Sequence, residues 1–278
     1  MTYIRMRLNS GNQPTMTEVQ QDRRTTDGAT LKSTVDEAEI ARFAAMASEW
    51  WDPEGRLAPL HKLNPTRLRL IRDAICHRFD RNPDGDKPLA GLRIVDLGCG
   101  GGLICEPMAR LGADVVGIDA GEKTLEVARA HCRMGNLEID YRHTTAEALV
   151  DSGDAFDVVL NLEVVEHVAD VSAFMAAAGI LTRPGGLQIV TTLNRTARSL
   201  AFGIVAAEYV LRWLPRGTHD WRKFLKPSEV AAHLRANGLI VEKVAGLTYN
   251  PLTDNWRESR DLGINYVVVA HKRVAVQN

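Results

Sequence analysis

Two carboxylates and an imidazole stand close together in the chain at Glu163, Glu166 and His167. If this stretch is helical, spacings of three and four residues place the three side chains on one helix face. Such a face can hold Mg²⁺ or another divalent cation, which would bind a catechol and lower the pKa of its hydroxyl. Alternatively, His167 acts directly as the catalytic general base that removes a phenolic proton, or it is a structural histidine. The residues leave these roles open.

A glycine-rich stretch, Asp96-Leu97-Gly98-Cys99-Gly100-Gly101-Gly102, follows an apolar run that is typical of a β-strand. Its glycines tolerate positive φ and lack the Cβ atoms that would keep a ligand away from the backbone. The Gly-Lys-Ser/Thr of a nucleotide-triphosphate loop is missing, and Leu103 stands where a dinucleotide fingerprint needs its last glycine. The remaining pattern, Asp-x-Gly-x-Gly-x-Gly, resembles motif I of the class I S-adenosylmethionine methyltransferases.

The next predicted strand, Val115-Val116-Gly117-Ile118, ends in the acidic residue Asp119. A carboxylate at this place after a glycine loop can accept hydrogen bonds from both hydroxyls of a ribose. The alternative role for Asp119 is to cap the helix that begins near Gly121. We favour the ribose role because the glycine loop precedes it.

Predicted strands and helices alternate from Gly91 onward, which indicates a mostly parallel sheet with a ligand at the carboxyl ends of its strands. We therefore expect an α/β, Rossmann-like class I methyltransferase fold whose seven-stranded, mostly parallel sheet has an antiparallel last strand. The predicted strands are 92–97, 114–118, 138–143, 156–162, 187–193, 239–244 and 264–270.

Three further parts are expected besides the methyltransferase domain at 91–273, namely a disordered tail at 1–33, an N-terminal helical cap at 34–81 and an apolar helical insertion near 198–220. Within the cap, Asn64-Pro65 has the form of a helix start and predicts a helix that runs to about residue 79. Arg67 would then lie in the first turn, where a cation opposes the helix dipole. It is either a solvated arginine or a residue with another task.

Composition excludes several classes of protein. A formal net charge of −1 over 278 residues does not provide the basic face that nucleic-acid binding needs. No apolar run reaches the length of a membrane span, and no signal-peptide core stands at the start. Four cysteines without Cys-x-x-Cys spacing are typical of a reduced, cytoplasmic protein.

The predicted insertion near 198–220 is too apolar for an ordinary surface helix and too short to span a bilayer. Its aromatic residues and the cations in and after it favour a helix that lies in the headgroup region of a membrane. A buried lid over the active site or a dimer contact is the alternative.

Taken together, these residues resemble the family of ubiquinone-biosynthesis O-methyltransferases, over the range from Asp36 to about Lys272. General methyltransferases share the glycine loop but not the Asn-Pro-x-Arg and Gly-Thr-His-Asp motifs. The motifs that carry the resemblance are Trp50-Trp51, Asn64-Pro65-x-Arg67, Asp96 to Gly102, Glu163-x-x-Glu166-His167, Thr192-Leu193-Asn194-Arg195 and Gly217-Thr218-His219-Asp220.

The resemblance implies methylation of polyprenylated catechols in ubiquinone biosynthesis, at the 2-polyprenyl-6-hydroxyphenol and 3-demethylubiquinol steps. It places Arg67 at the methionine carboxylate of S-adenosylmethionine, Gly98 and Gly100 along the methionine part, Asp119 at the ribose and Leu162 near the adenine or sulfonium. It also implies a divalent ion on Glu163, Glu166 and His167.

The expected partners are a prenylated catechol, membrane surface lipids and other ubiquinone-biosynthesis enzymes, for a cytoplasmic protein peripherally associated with the inner membrane. Other functions compete with this one. They are C- or O-methylation of another quinone or phenol, a nicotinamide-dependent oxidoreductase, and a non-catalytic lipid-binding scaffold.

Overall fold

The computed structural model describes residues 34–201 and 220–274. The strands are β1 (Arg93–Leu97), β2 (Asp114–Asp119), β3 (Asp140–His143), β4 (Phe156–Leu162), β5 (Thr182–Leu193), β6 (Leu239–Asn250), β7 (Asn255–Ser259) and β8 (Asn265–Lys272). The helices are α1 (Glu37–Ala44), α2 (Ala58–Arg78), α3 (Cys105–Arg110), α4 (Glu122–Met134), α5 (Ala146–Val150), α6 (Val171–Leu181) and α7 (Pro227–Ala236).

Within the described residues, eight strands form one sheet in the order β3-β2-β1-β4-β5-β8-β6-β7. The five strands from β3 to β5 pair in parallel, whereas β8 is antiparallel to both β5 and β6. This arrangement confirms the Rossmann-like methyltransferase fold. The strand count differs from the predicted seven because β7, a short strand of mostly exposed and polar residues, pairs with β6 at the sheet edge.

Helices cover both faces of the sheet, so successive strand residues pack into two separate cores. In β1, Ile94 joins the core beneath α2, α3 and α4, while Val95 joins the core beneath α5, α6 and α7. Both side chains are fully buried. Because side chains alternate between the two faces of the sheet, this pattern also determines on which face each residue at a strand end lies, next to the edge where a ligand can bind.

The helix that carries Arg67 begins earlier than the sequence indicates. Pro59 occupies the first turn of α2, and Pro65 lies inside this 21-residue helix rather than at its start. The Asn-Pro pair looks like a helix start because proline lacks a backbone N–H, but Pro59 already fills that role. Arg67 therefore lies in the middle of α2, away from the N-terminal end at which the helix dipole would disfavour a cation.

Two predicted parts fall where the structure gives no description. The tail at 1–33 lies outside the described residues, and so do residues 202–219 of the predicted insertion. Among the helices that the structure does describe, none is both long enough and apolar enough to cross a membrane.

Candidate active site

A cavity of about 850 Å³ opens at the carboxyl ends of the parallel strands. Its floor comes from the loops after β1, β2, β3 and β4, and its roof from the N-terminal segment that includes α1 and the start of α2. Parallel sheets bind ligands at this edge, and the volume falls within the range of small-molecule sites. The cavity collects six of the predicted site residues, namely Arg67, Gly98, Asp119, Leu162, Glu163 and His167.

The glycine loop turns through left-handed backbone, with φ of 68° at Gly98 and 54° at Gly100. Gly98 lines the cavity, and a Cβ there would meet Val164 Cγ2 at 2.6 Å. Gly100 is not part of the wall, because the indole of Trp50 occupies the space where a side chain at 100 or 101 would lie. That Gly100 lies along the methionine part stays a prediction.

The paired tryptophans hold the N-terminal segment on this loop. Trp51 Nε1 donates to the carbonyl of Gly101 at 2.9 Å, and its ring stacks on His131 with a centroid distance of 3.5 Å. His131 Nδ1 lies 2.6 Å from the buried carboxylate of Glu106. The bare backbone of the loop at Gly100 and Gly101 therefore accommodates the indole of Trp50.

Asp119 ends β2 and ties the glycine loop to α4. Its Oδ2 accepts the N–H of Gly100 at 3.0 Å, and its Oδ1 accepts the N–H of Gly121 at 2.7 Å. Burial raises the pKa of Asp119 above its ordinary value, and the two backbone donors partly offset this effect. A carboxylate has about four acceptor positions, so the capping role and the ribose role are compatible.

Asp96, at the end portion of β1, is buried on the cavity wall. Burial raises its pKa to about 7, although the thiol of Cys105 at 3.4 Å and the charge of Arg67 lower it. The first acid of the glycine motif is therefore largely protonated below neutral pH.

Arg67 is a buried cation, with only 4% of its side chain exposed, on the cavity wall. Its Nη2 donates to Glu163 Oε1 at 2.8 Å, and its Nη1 donates to Asn64 Oδ1 at 3.3 Å. Its Nε has no hydrogen-bond partner among the described residues. A buried guanidinium that lines a cavity and keeps unused N–H groups is suited to a ligand carboxylate.

The stretch from Glu163 to His167 is a turn and not the predicted helix. Glu163 adopts φ of 58°, a conformation that ends β4 and breaks the helical spacing. Glu166 is 2% exposed and does not line the cavity, and burial together with the charge of Glu163 raises its pKa well above the ordinary range. The three side chains do not share one face.

These side chains do not fit a divalent cation as they stand. Glu163 is bound to Arg67, Glu166 is buried, and His167 Nδ1 lies 3.1 Å from Glu39 Oε2. Across residues 34–201 and 220–274, no three His, Cys, Asp or Glu side chains form a group that could hold a metal ion. Glu163 and Glu166 lie close enough to interact, but in the described part of the chain the two carboxyl groups and His167 do not form one metal-binding group.

Sequence reasoning missed two contributors to the cavity. Glu39 of α1 reaches His167 across 128 positions of sequence, and no local pattern marks such a pair. The loop after β3 and the start of α5 contribute Thr144 to Glu147, and Glu147 Oε1 accepts the hydroxyl of Thr34 at 2.7 Å. The position of this loop, at the carboxyl end of a parallel strand, was a signal that could have identified it.

The methyltransferase-domain family matches residues 95–190. The chain is 53% identical over 244 residues to a ubiquinone biosynthesis O-methyltransferase of Brucella ovis, covering 87% of this chain and 98% of the relative. It is 55% identical over 241 residues to the protein of that name from Mesorhizobium japonicum, covering 87% and 97% respectively. The chain belongs to the ubiquinone biosynthesis O-methyltransferase family.

Solved structures of other methyltransferases share the fold of this family member. One is the magnesium protoporphyrin IX methyltransferase of Synechocystis with bound S-adenosylhomocysteine, at a TM-score of 0.57 and 17% identity over 85% of this chain and 94% of that one. Another is a possible histamine N-methyltransferase of Thermotoga maritima, at a TM-score of 0.55 and 17% identity over 85% and 99%. Family membership and fold confirm the predicted enzyme class, an S-adenosylmethionine-dependent O-methyltransferase.

Proposed function

We propose that this enzyme transfers the methyl group of S-adenosylmethionine to a ring hydroxyl of polyprenylated catechols in ubiquinone biosynthesis, at the 2-polyprenyl-6-hydroxyphenol and 3-demethylubiquinol steps. The observation that carries the proposal is a cavity lined both by charged residues suited to the donor, here called the charged wall, and by many apolar residues suited to a prenylated ring, here called the apolar wall. The name of the relatives at 53–55% identity supports the pathway.

The donor is proposed to lie along the charged wall. Asp119 accepts the ribose hydroxyls, Arg67 receives the methionine carboxylate, and Gly98 lets the methionine part approach the backbone. Leu162, the last residue of β4, is 9% exposed. It is proposed to pack near the adenine or the sulfonium. The donor supplies an electrophilic methyl group, so the protein must align an oxygen with it and remove the proton of that oxygen.

The substrate is proposed to lie along the apolar wall. This wall comes from the N-terminal segment on one side and from β5, β6 and β7 on the other, which suits a prenyl chain attached to a ring. Its apolar side chains include Ile40, Phe43, Leu60, Leu193, Leu247 and Trp256.

His167 is proposed as the base that takes the phenolic proton. A carboxylate only accepts hydrogen bonds, so the contact with Glu39 places the proton of a neutral imidazole on Nδ1 and makes Nε2 the basic nitrogen. Burial alone would raise the pKa of Glu39, but the hydrogen bond of His167 and the charges of Arg42 and Lys223 lower it overall. No step is routed through a divalent cation, because among the described residues its three candidate ligands do not form one group.

Peripheral association of a cytoplasmic enzyme with the inner membrane, through the segment near 198–220, extends the proposal. The apolar residues of that segment and the cations that follow it support binding to anionic lipids. Deletion of the segment should abolish co-sedimentation with anionic liposomes, whereas a folded deletion variant that still pellets would contradict this part. Contacts with other ubiquinone-biosynthesis enzymes would deliver the substrate to the enzyme at the membrane surface.

The enzymatic proposal is tested by incubating the purified protein with S-adenosylmethionine and a short-chain prenylated catechol, and by locating the new methyl group by mass spectrometry and NMR. We expect methylation on oxygen and a lower KM for the prenylated ring than for catechol itself. A methyl group on ring carbon would indicate a C-methyltransferase. Absence of S-adenosylhomocysteine would indicate a non-catalytic scaffold.

A further inference from the structure

We propose that Glu163 is a positioning residue for the methyl donor, which holds the guanidinium of Arg67 in place to receive the donor's carboxylate, and that it does not act as a metal ligand. The inference rests on the proposed function, since it assumes that Arg67 meets that carboxylate. It assigns Glu163 a task that the sequence motif does not suggest.

The contacts of Glu163 join three elements of the fold. Its Oε1 accepts Arg67 Nη2 of α2 at 2.8 Å and Thr191 Oγ1 of β5 at 3.0 Å. The backbone N–H of Glu163 donates to the carbonyl of Thr191 at 2.9 Å. Thr191 therefore forms hydrogen bonds with both the main chain and the side chain of Glu163, and these bonds hold the carboxylate in place without a ligand.

The local backbone explains why this carboxylate reaches α2. A φ of 58° is unusual for a residue with a Cβ, and such strain persists only where the surroundings hold it. The turn interrupts the helical spacing that would have aligned Glu163 with His167. The strained position is the one at which the side chain meets Arg67, 96 positions earlier in the chain.

Arg67 needs this partner because of where it lies. A guanidinium with 4% exposure in the middle of a long helix is shielded from water and remote from the helix ends, so its charge requires a fixed counter-charge. Asn64 supplies only a neutral oxygen, at 3.3 Å. Glu163 is therefore the group that keeps the charged guanidinium oriented at the cavity.

The pair still leaves donors for a ligand. A guanidinium carries five N–H donors, of which Glu163 and Asn64 use one on each terminal nitrogen. Nε has no partner among the described residues, and the side chain lines the cavity. Because Glu163 fixes the orientation of the guanidinium, its remaining terminal N–H groups are held in place for a ligand carboxylate, while Nε itself is buried.

The test compares Glu163→Ala with Glu163→Gln, because glutamine keeps an acceptor oxygen for both donors but is a poor metal ligand. Affinity is measured by calorimetry, in buffer that contains a chelator, for S-adenosylhomocysteine and for 5′-methylthioadenosine, which lacks the amino-acid carboxylate. Glu258→Ala, which breaks an exposed ion pair with Lys243, is the matched control. Thermal melting checks that each variant is folded.

We expect Glu163→Ala to weaken S-adenosylhomocysteine binding by about tenfold or more, and Glu163→Gln, which keeps the acceptor oxygen but loses the counter-charge, to weaken it by only about threefold. Both variants should bind 5′-methylthioadenosine like the wild type. Equal losses in the two variants, no loss in either, or equal losses for both ligands would each overturn the positioning role. A wild-type protein that does not bind S-adenosylhomocysteine would instead overturn the proposed function.

If Glu163→Ala does not fold, Thr191→Val decides the question, because it removes one of the two hydrogen bonds to Glu163 Oε1. A loss of S-adenosylhomocysteine affinity of about threefold or more, with 5′-methylthioadenosine unaffected, would support the role. Unchanged affinity for S-adenosylhomocysteine would contradict it.

Discussion

Glu39 Oε2 lies 3.1 Å from His167 Nδ1, so a residue of the first described helix contacts the imidazole that follows β4. Phe43, one turn further along α1, packs against the edge of the same imidazole at a centroid distance of 5.3 Å. The N-terminal segment thus does more than cover the cavity. It sets the orientation of the proposed base.

Replacement of His167 by alanine should lower kcat by about 10²- to 10⁴-fold, the usual contribution of a general base, with little change in affinity for S-adenosylhomocysteine. Glu39→Gln should lower kcat by about tenfold, because it removes the charged acceptor that orients the ring. Steady-state kinetics and calorimetry check both variants. His77→Ala, at an exposed position on α2, is the control, and a wild-type kcat in His167→Ala would contradict the assignment.

Gly98→Ala should abolish measurable binding of S-adenosylhomocysteine. The alanine would adopt φ of 68° and place its Cβ 2.6 Å from Val164 Cγ2 on the cavity wall. Gly153→Ala is the matched control, because Gly153 has φ of 74° but nothing within 4 Å of a Cβ. It should cost only about 1 kcal/mol of stability, and equal effects of the two substitutions on binding would contradict a donor site at Gly98.

Trp51→Ala should loosen the N-terminal segment from the glycine loop. The substitution removes the 2.9 Å hydrogen bond to Gly101 and the stacking on His131, which together contribute about 1–3 kcal/mol. Hydrogen exchange of α1 should accelerate, and Trp51→Phe, which keeps the stacking, should give a smaller effect. Unchanged exchange in Trp51→Ala would show that other contacts hold the segment.

Asp96 should make stability depend on pH. Its pKa rises from the ordinary 3.8 to about 7 in the folded protein because of burial, so between these values the native state binds a proton that the unfolded chain has lost. Stability contributed by this group is therefore lost as pH rises from about 4 to about 7.

Asp96→Asn removes this dependence. Relative to the wild type, it should raise the free energy of unfolding by about 2–4 kcal/mol more at pH 8 than at pH 4. Urea denaturation of both proteins at the two pH values measures the difference. The same difference at pH 4 and pH 8 would show that Asp96 ionises normally.

The sequence predicts those parts of the site that depend on local pattern. The glycine loop and Asp119 are found at the ends of β1 and β2 because apolar strands and their turns are marked by neighbouring residues. The sequence does not predict the edge strand β7, because its residues are mostly exposed and polar and therefore show no alternation of apolar and polar side chains.

Long-range contacts explain the remaining errors. The helical reading of Glu163 to His167 assumed that spacing alone decides conformation, whereas Arg67 and Thr191 hold Glu163 in a left-handed turn. The early start of α2 and the placement of Trp50 over Gly100 likewise depend on packing between segments that are distant in the chain. No window of neighbouring residues contains that information.

The central claim is that the cavity at the carboxyl edge of the sheet binds S-adenosylmethionine through Asp119, Gly98 and Arg67. Calorimetric titration of the folded wild-type protein with S-adenosylhomocysteine tests it most directly. We predict one site per chain, with affinity lost in Asp119→Ala and much reduced in Arg67→Gln. Absence of binding to folded protein, or wild-type affinity in both variants, would contradict the claim.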